Sequence, residues 1–256
     1  MTHDLENSSL ETIGLEAVDR FITTFNTRNA SEWADSLQFP HVRPSPLGPI
    51  RAIPDKETYV STFDYNKVIE TGWDHSEWDY KRFLHKSPRK LHVAGQWSRY
   101  DVDGNKILST PIVYVVTRVD GEWGIQSRFG SDYADDDDVS GFETRVFRLY
   151  ETFTTHYNNG NLEACAELLN YPHYRIEPGE LNEITSQDQF QKGADHIQID
   201  GLMAIQTGRK SMNFAVDLSL TIDGKVTTRQ GVINATERDG HLGLQAISLL
   251  DPNEEE

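Results

Sequence analysis

The chain repeats itself, and the repeat retains polar residues as well as apolar ones. The segment Phe-Pro-His-Val-Arg at 39–43 returns as Tyr-Pro-His-Tyr-Arg at 171–175, 132 positions later. Gly-Trp-Asp-His at 72–75 returns as Gly-Ala-Asp-His at 193–196, 121 positions later. The smaller second offset indicates a deletion of about a dozen residues in the second copy, the size of a trimmed loop. A chain of 256 residues built in this way is expected to fold as two domains.

The chain is strongly acidic, with 41 Asp and Glu against 24 Lys and Arg and a formal net charge of −17. Nucleic acids and anionic membrane surfaces bind clusters of basic residues, so the charge predicts neither as a partner. No apolar run approaches the length of a membrane span, and the amino terminus lacks the basic and apolar regions of a signal peptide. The single cysteine, Cys165, excludes an intrachain disulfide and is expected to be a buried helix residue. These features together predict a cytoplasmic protein.

Apolar spacing predicts that each half begins with two helices. Val18, Phe21, Ile22 and Phe25 follow the i, i+3, i+4, i+7 pattern of one helical face, and a second short helix follows over 29–37. The second half repeats both features after position 142. Helices with one apolar face must pack that face against another layer, so we expect a sheet beneath them.

Alternating strands joined by Asp-Gly turns follow the helices in each half. A Pro- and Gly-rich stretch leads to a third helix over 57–69, and three long antiparallel strands come next; the same order is expected in the second half. Helices followed by a meander predict an α+β domain whose curved sheet encloses a cavity. We expect domain 1 over 8–130, an acidic linker over 131–141 and a shorter domain 2 over 142–251.

Four segments carry a resemblance to a known family: the opening helix with Val18, Phe21, Phe25 and Asn26, the 29–37 helix, the 39–43 corner and the closing Asp-Gly-Glu-Trp-Gly-Ile at 120–125. They resemble the NTF2-like superfamily, which includes SnoaL-like and ketosteroid-isomerase-like proteins, over nearly all of both halves. The resemblance implies two tandem cone-shaped domains that form an intramolecular pseudo-dimer, with further pairing into a homodimer left open.

The resemblance implies that a cone holds a small organic molecule. It also implies isomerase, dehydratase, lyase or cyclase chemistry by acid and base groups, without a cofactor. Because the superfamily also includes proteins without catalytic activity, a binding or assembly scaffold is the alternative. The chain contains neither a Gly-rich phosphate loop nor short His or Cys spacings, so we predict no nucleotide cofactor and no metal.

The repeated Pro-His-x-Arg segment is the first candidate for chemistry. In an extended segment His41 and Arg43 share a face, so both can point into one cavity. His41 would then act as a general base and Arg43 as an oxyanion stabiliser. The alternative is a structural corner, in which His41 is buried against a backbone carbonyl and Arg43 pairs with an acid. In the second half His173 and Arg175 are the corresponding ligand-binding candidates.

The Gly-x-Asp-His segment is the second candidate. His75 would face the cavity as a catalytic acid or orienting group, and Trp73 would give an aromatic wall. The alternative is a capped turn with a core tryptophan. His196 is the ligand-binding candidate in the second half, where Ala194 replaces the tryptophan.

His92 and Tyr100 lie on one face of a predicted strand, and Arg128 lies on the last strand of the first half. We predict His92 as a further catalytic group and Tyr100 and Arg128 as ligand-binding residues. An offset of 120 pairs His92 and Tyr100 with apolar Met212 and Leu220. The first half is therefore expected to hold the working cavity, and the second half a degenerate one.

Overall fold

The computed structural model describes residues 2–132 and 138–252, with side chains from residue 9 onward. It confirms the predicted α+β class, because each half packs helices on one largely antiparallel sheet. The sheets have five and six strands. No helix among the described residues is long and apolar enough to cross a membrane.

The elements of the first half come in the following order: α1 (Thr2–Asn26), α2 (Ala30–Ala34), β1 (Leu37–Val42), α3 (Lys56–Thr62), α4 (Tyr65–Ile69), β2 (His75–Lys86), β3 (Lys90–Tyr100), β4 (Lys106–Val119) and β5 (Glu122–Gly130). The strands are ordered β1-β5-β4-β3-β2, and β1 runs parallel to β5. The predicted helix over 57–69 is two helices, because the Asp64 side chain accepts from the backbone N–H of Asn66 and caps a new start there.

The second half contains α5 (Ser140–Asn158), α6 (Leu162–Glu167), β6 (Leu169–Glu177), β7 (Glu180–Ile184), β8 (His196–Thr207), β9 (Ser211–Ile222), β10 (Lys225–Arg238) and β11 (His241–Leu249). Its sheet is ordered β7-β6-β11-β10-β9-β8. The third helix expected here is replaced by strand β7 and a 3-10 turn at Gln187–Gln189. Each half also has one more long strand than predicted, β2 and β8.

Strand pairing fixes which residues of the two halves are equivalent. His75 pairs with Tyr100 across β2 and β3, and His196 pairs with Thr221 across β8 and β9. The offset between these strands is therefore 121, as it is between the two Gly-x-Asp-His segments. Tyr100 corresponds to Thr221, so the predicted offset of 120 is wrong by one residue.

That one residue matters because side chains alternate between the two faces of a strand. His92 corresponds to Asn213, which is polar, and not to the apolar Met212. In the same register, two residues on the concave face of β3 have aliphatic counterparts on β9. Leu218 is equivalent to Trp97, and Leu220 is equivalent to Arg99.

The predicted helical face of α1 is confirmed as the centre of the first core. Val18 and Phe21 are buried against the concave face of the sheet, where they meet Val93 and Tyr114. The second half has its own core around α5, which includes Tyr150. Each half therefore encloses its own apolar interior.

The convex faces of the two sheets pack against each other. Val113 and Phe129 of the first half and Ile176 of the second belong to one buried cluster between the halves. Lys90 is fully buried there, and its Nζ donates to the carbonyl oxygens of Ile176 and Leu249 over 2.7 and 2.8 Å. It also donates to Glu177 Oε2 over 2.7 Å. The two halves thus form one packed body.

The segment between the halves is anchored where it is described. Asp132 accepts hydrogen bonds from the backbone N–H groups of Arg209 and Lys210, each over 3.0 Å to Oδ2. Helix α5 begins at Ser140, inside the predicted linker over 131–141. The acidic run at 133–137 lies outside the described residues.

Candidate functional site

A cavity of about 280 Å³ lies between the helices and the concave sheet face of the first half. It is called cavity 1 here. The Asp55 side chain accepts from Thr58 N and caps α3, which carries Tyr59 over the cavity. Six aromatic side chains border it: Phe21, Phe25, Trp33, Tyr59, Phe63 and Trp97. Such walls suit a flat, unsaturated molecule.

Three arginines border the same cavity: Arg43, Arg99 and Arg128. Within the described side chains, none of these guanidinium groups forms an ion pair with a carboxylate. The residues that border cavity 1 also include no Asp or Glu. A protein with a net charge of −17 thus has a cavity whose charged groups are all cations.

Arg128 is the most firmly held of the three. Its Nε donates to His41 Nε2 over 3.1 Å, and its Nη2 donates to the Tyr59 hydroxyl oxygen over 3.2 Å. The guanidinium carbon also lies 4.9 Å from the ring centroid of Phe21 and 5.5 Å from that of Trp33. These contacts fix the direction of the cation while leaving it without a counter-ion.

Arg43 stands next to like charge. Desolvation by the surrounding protein, followed by the charges of Arg128 and Arg99, lowers the pKa of Arg43 to about 10, although Tyr114 and Tyr59 oppose the shift. Arg43 is itself exposed and also borders the cavity. Cations held together in this way repel one another, and an anion bound between them would relieve that repulsion.

His41 is buried behind the cavity wall and does not border the cavity. Its Nδ1–H donates to the Ile125 carbonyl over 3.1 Å, which leaves the Nε2 lone pair to accept from Arg128. Burial, followed by Arg128, holds the His41 pKa well below its usual value, so the ring is neutral. The geometry lets His41 orient Arg128, whereas Arg43 and Arg128 border the cavity.

The Gly-x-Asp-His segment leads into strand β2 and does not border cavity 1. Trp73 is a core residue, with Nε1 donating to the Ser76 hydroxyl over 3.0 Å and its ring 4.9 Å from that of Phe25. His75 lies 3.0 Å from Asp74 through Nδ1, at the partly exposed end of the strand. Trp73 is therefore a core residue, as in the structural alternative, and His75 lies outside cavity 1.

His92 and Tyr100 point away from cavity 1, because the face they share is the convex one. His92 is buried between the halves, where Nε2 lies 2.9 Å from the Ser248 hydroxyl and Nδ1 lies 3.2 Å from Nδ1 of His85. Tyr100 is half-buried and stacks on His75, with ring centroids 5.4 Å apart. Neither residue is among those that border the cavity.

A second cavity, of about 310 Å³, occupies the same place in the second half and is called cavity 2. The ligand-binding candidates His173 and Arg175 border it. His196 does not, because it is exposed on the edge strand β8. The second cone therefore encloses a cavity with polar groups of its own.

Four residues that border cavity 1 were missed in the sequence analysis: Trp33, Tyr59, Trp97 and Arg99. Arg99 is two residues beyond Trp97 on β3, so the two share the concave face. The odd-numbered positions of this strand include buried Leu91 and Val93, and that alternation could have identified Arg99 as an inward-pointing cation. Tyr59 is brought in by a helix whose contacts no local pattern specifies.

Comparison with known proteins finds similarity among solved structures. An NTF-2 like protein of unknown function from Shewanella oneidensis MR-1 is 14% identical, with a TM-score of 0.40 over 47% of this chain and 98% of that one. The association domain of C. elegans CaMKII is 14% identical, with a TM-score of 0.37 over 45% and 100%. A Catenulispora acidiphila protein in complex with S-DNPA is 15% identical, with a TM-score of 0.39 over 48% and 93%. No protein-family model and no curated protein matches the chain.

Each of these structures spans about half of the chain. Their identities and TM-scores are too low to bear on a ligand or a reaction. NTF2-like proteins, which the sequence resembles, are among the structures to which this two-halved α+β chain is similar.

Proposed function

We propose that the first half is a binding module for a small aromatic carboxylate or a similar flat organic anion. The observation that carries the proposal is the set of three guanidinium groups on one aromatic cavity, Arg43, Arg99 and Arg128, without a carboxylate among the residues that border it. Guanidinium groups recognise carboxylates through paired, charge-assisted hydrogen bonds. The protein has an excess of acidic residues, so the absence of a counter-ion within the described side chains favours a ligand in that role.

The walls of cavity 1 narrow the ligand class. Phe21 and Phe63 border it, and the Trp33 ring lies 4.6 Å from that of Phe63. Aromatic rings prefer edge-to-face or offset contacts with other rings, which a benzoate- or naphthoate-like molecule can make. A volume of about 280 Å³ suits a molecule of one or two rings.

Binding without proton transfer fits the groups present. The residues that border cavity 1 include no His, Asp or Glu, so the described part of the chain offers no neutral-range base at the ligand. His41 accepts from Arg128 and acts through it as a positioning residue. The isomerase, dehydratase, lyase and cyclase reactions implied by the resemblance all need a base at the substrate, and the non-catalytic alternative is therefore preferred.

Calorimetric titration with matched ligands tests the proposal. We expect 1-naphthoate to bind more tightly than the uncharged 1-naphthamide, and to bind more weakly as salt increases. Arg99→Leu should reduce naphthoate affinity by about tenfold or more, because a hydrogen bond to a charged group contributes about 1.5–3 kcal/mol. Leucine occupies the equivalent position 220, so this side chain suits the strand.

Arg148→Leu is the matched control, since Arg148 is exposed on α5 and its loss removes the same charge far from cavity 1. It should leave naphthoate affinity unchanged. Equal affinity for the acid and the amide, or equal losses in the two variants, would reject anion recognition by cavity 1.

A further inference from the structure

Cavity 2 differs from cavity 1 at the positions that carry charge. Strand register makes Leu220 the counterpart of Arg99. His41 donates to the Ile125 carbonyl and His173 to the Leu244 carbonyl, so Ile125 and Leu244 are equivalent. Three residues further along each strand, Ile247 is therefore the counterpart of Arg128. Both Leu220 and Ile247 border cavity 2. The second half has therefore lost two of the three cations and has aliphatic groups in their place.

The walls of cavity 2 are mainly aliphatic. Branched side chains from β9, β10 and β11 enclose it: Leu218, Leu220, Ile233, Leu244, Ile247 and Leu249. Four aromatic side chains also border it, Tyr150, Phe153, Tyr157 and Phe190. The aliphatic groups from the sheet pack well around a bulky saturated skeleton. The shape of the ligand is thus expected to differ from that of the cavity 1 ligand.

The charges that remain at cavity 2 are balanced. Arg175 Nη2 donates to the Gln191 carbonyl over 3.3 Å, and its guanidinium carbon lies 5.7 Å from the ring centroid of Phe190. Glu177 borders the same cavity and accepts from the buried Lys90 of the first half. One cation and one anion border this cavity, so it gives little net advantage to an ionic ligand of either sign.

His173 supplies one acceptor that no protein group uses. Its Nδ1–H donates to the Leu244 carbonyl over 2.9 Å, so Nε2 carries the lone pair. Among the described residues Nε2 has no hydrogen-bond partner, and it is not among the polar atoms sealed from solvent. The side chain is 4% exposed and borders the cavity, so that small exposed area faces the cavity. In cavity 1 the same nitrogen is occupied by Arg128.

Tyr157 adds a donor at the same cavity. Its hydroxyl oxygen accepts from the backbone N–H groups of Gly193 and Ala194, over 2.9 and 2.7 Å. Its own proton has no acceptor among the described residues and remains to donate to a ligand. An acceptor and a donor on one apolar cavity match a hydroxyl group, which donates through its proton and accepts through its oxygen.

We propose that cavity 2 is a second ligand site, which binds a neutral alicyclic alcohol whose hydroxyl donates to His173 Nε2. The proposal is independent of the ligand of cavity 1. Burial, the larger cause, lowers the pKa of His173 to about 4, so at neutral pH the ring is uncharged and its lone pair is available. A single well-placed hydrogen bond in an apolar cavity fixes the orientation of the ligand.

The test uses menthol and menthone, which have the same skeleton and differ in that the ketone cannot donate. Wild-type protein is expected to bind menthol about tenfold or more tightly than menthone, since the ketone leaves His173 Nε2 without a partner. His173→Asn retains a donor for the Leu244 carbonyl and removes the Nε2 acceptor. It should reduce menthol affinity to about that of menthone and leave menthone affinity unchanged.

His196→Asn is the matched control, because it makes the same change at an exposed position of β8 that does not border cavity 2. It should leave menthol affinity unchanged. Equal affinity of the wild type for menthol and menthone would overturn the proposal even if His173→Asn failed to fold, and so would tighter binding of menthone. Equal loss in the two variants would place the alcohol elsewhere and would also overturn it.

Discussion

Arg128 donates from Nε to the Nε2 atom of His41 over 3.1 Å, and both side chains are buried. The neutral histidine, which does not border cavity 1, thus fixes the orientation of the arginine by accepting this hydrogen bond. The arginine borders cavity 1, while the histidine determines where the arginine points.

That contact predicts opposite results for two amide substitutions of His41. Glutamine can present its oxygen near the position of Nε2 and accept from Arg128, whereas asparagine replaces only the Nδ1 donor to Ile125. We expect His41→Asn to weaken 1-naphthoate binding by about tenfold and His41→Gln to retain most of it. Each is expected to lose about 1–3 kcal/mol in the free energy of unfolding, measured in urea, because one buried partner is left unpaired. Equal affinities of the two variants would contradict the orienting role.

Tyr59 gives a second prediction about Arg128. Its hydroxyl oxygen accepts from Nη2, and burial, the largest cause, raises its pKa, so the group is un-ionised. Tyr59→Phe removes this acceptor while keeping the ring, and should weaken naphthoate binding by about threefold to tenfold. Tyr65→Phe is the control, because Tyr65 bonds the Phe25 carbonyl and does not border the cavity. Calorimetry that found equal losses in both would rule out a specific contribution from Tyr59.

Acid pH is expected to destabilise the fold through its buried histidines. His173 has a pKa lowered to about 4 by burial, whereas a histidine in the unfolded chain titrates near 6.5. Because the unfolded state binds the extra proton, this stability is fully present above about pH 6.5 and is lost as the pH falls toward 4. The loss from His173 alone is about 2 kcal/mol at about pH 5.

Urea unfolding at about pH 7.5 and pH 5 measures this effect. His173→Asn should lower the difference between the two pH values, and His196→Asn, at an exposed position of β8, should leave it unchanged. His41 and His92, whose pKa values are also lowered by burial, add to the acid sensitivity of the wild type. A pH difference that persisted in full in His173→Asn would exclude the contribution from this residue.

Lys90 predicts that the two halves unfold together. Lys90→Met removes three hydrogen bonds from the first half to the second. The carbonyl oxygens of Ile176 and Leu249 lose the partner that Lys90 gives them. We expect a loss on the order of 3 kcal/mol in one cooperative urea transition. Lys106→Met is the control, because its pair with Asp79 is exposed at the lysine and should contribute less than about 1 kcal/mol. Two separate transitions in the wild type would contradict the prediction.

Much of the fold could be predicted because the sequence contains the same pattern in both halves. The face of α1 with Val18 and Phe21, the Asp-Gly hairpins and the paired Pro-His-x-Arg segments all follow local rules of spacing and turn chemistry. Strand β2 could not be read in this way, because bulges at Trp78 and Phe83 break its two-residue alternation.

The candidate site was harder to predict for a related reason. The wrong face of β3 was taken as the one that points into the cavity, so His92 was assigned to the cavity and Arg99 was overlooked. The offset wrong by one residue then paired His92 with the apolar Met212. Tyr59 and Trp33 come from short helices, and only the tertiary packing brings them to the sheet. Arg43 was found because the Pro-His-x-Arg segment is repeated, and Arg128 because it is a cation on the last strand of the first half.

The counterparts Arg99 and Leu220 have a consequence for how such a protein can change over time. In a dimer of identical subunits, every substitution is made in both cavities at once, so one cavity cannot be altered while the other is kept. Joining the two copies in one chain removes that restriction while the packed sheet faces, with Lys90 between them, stay intact. Each cavity is then free to accumulate its own substitutions.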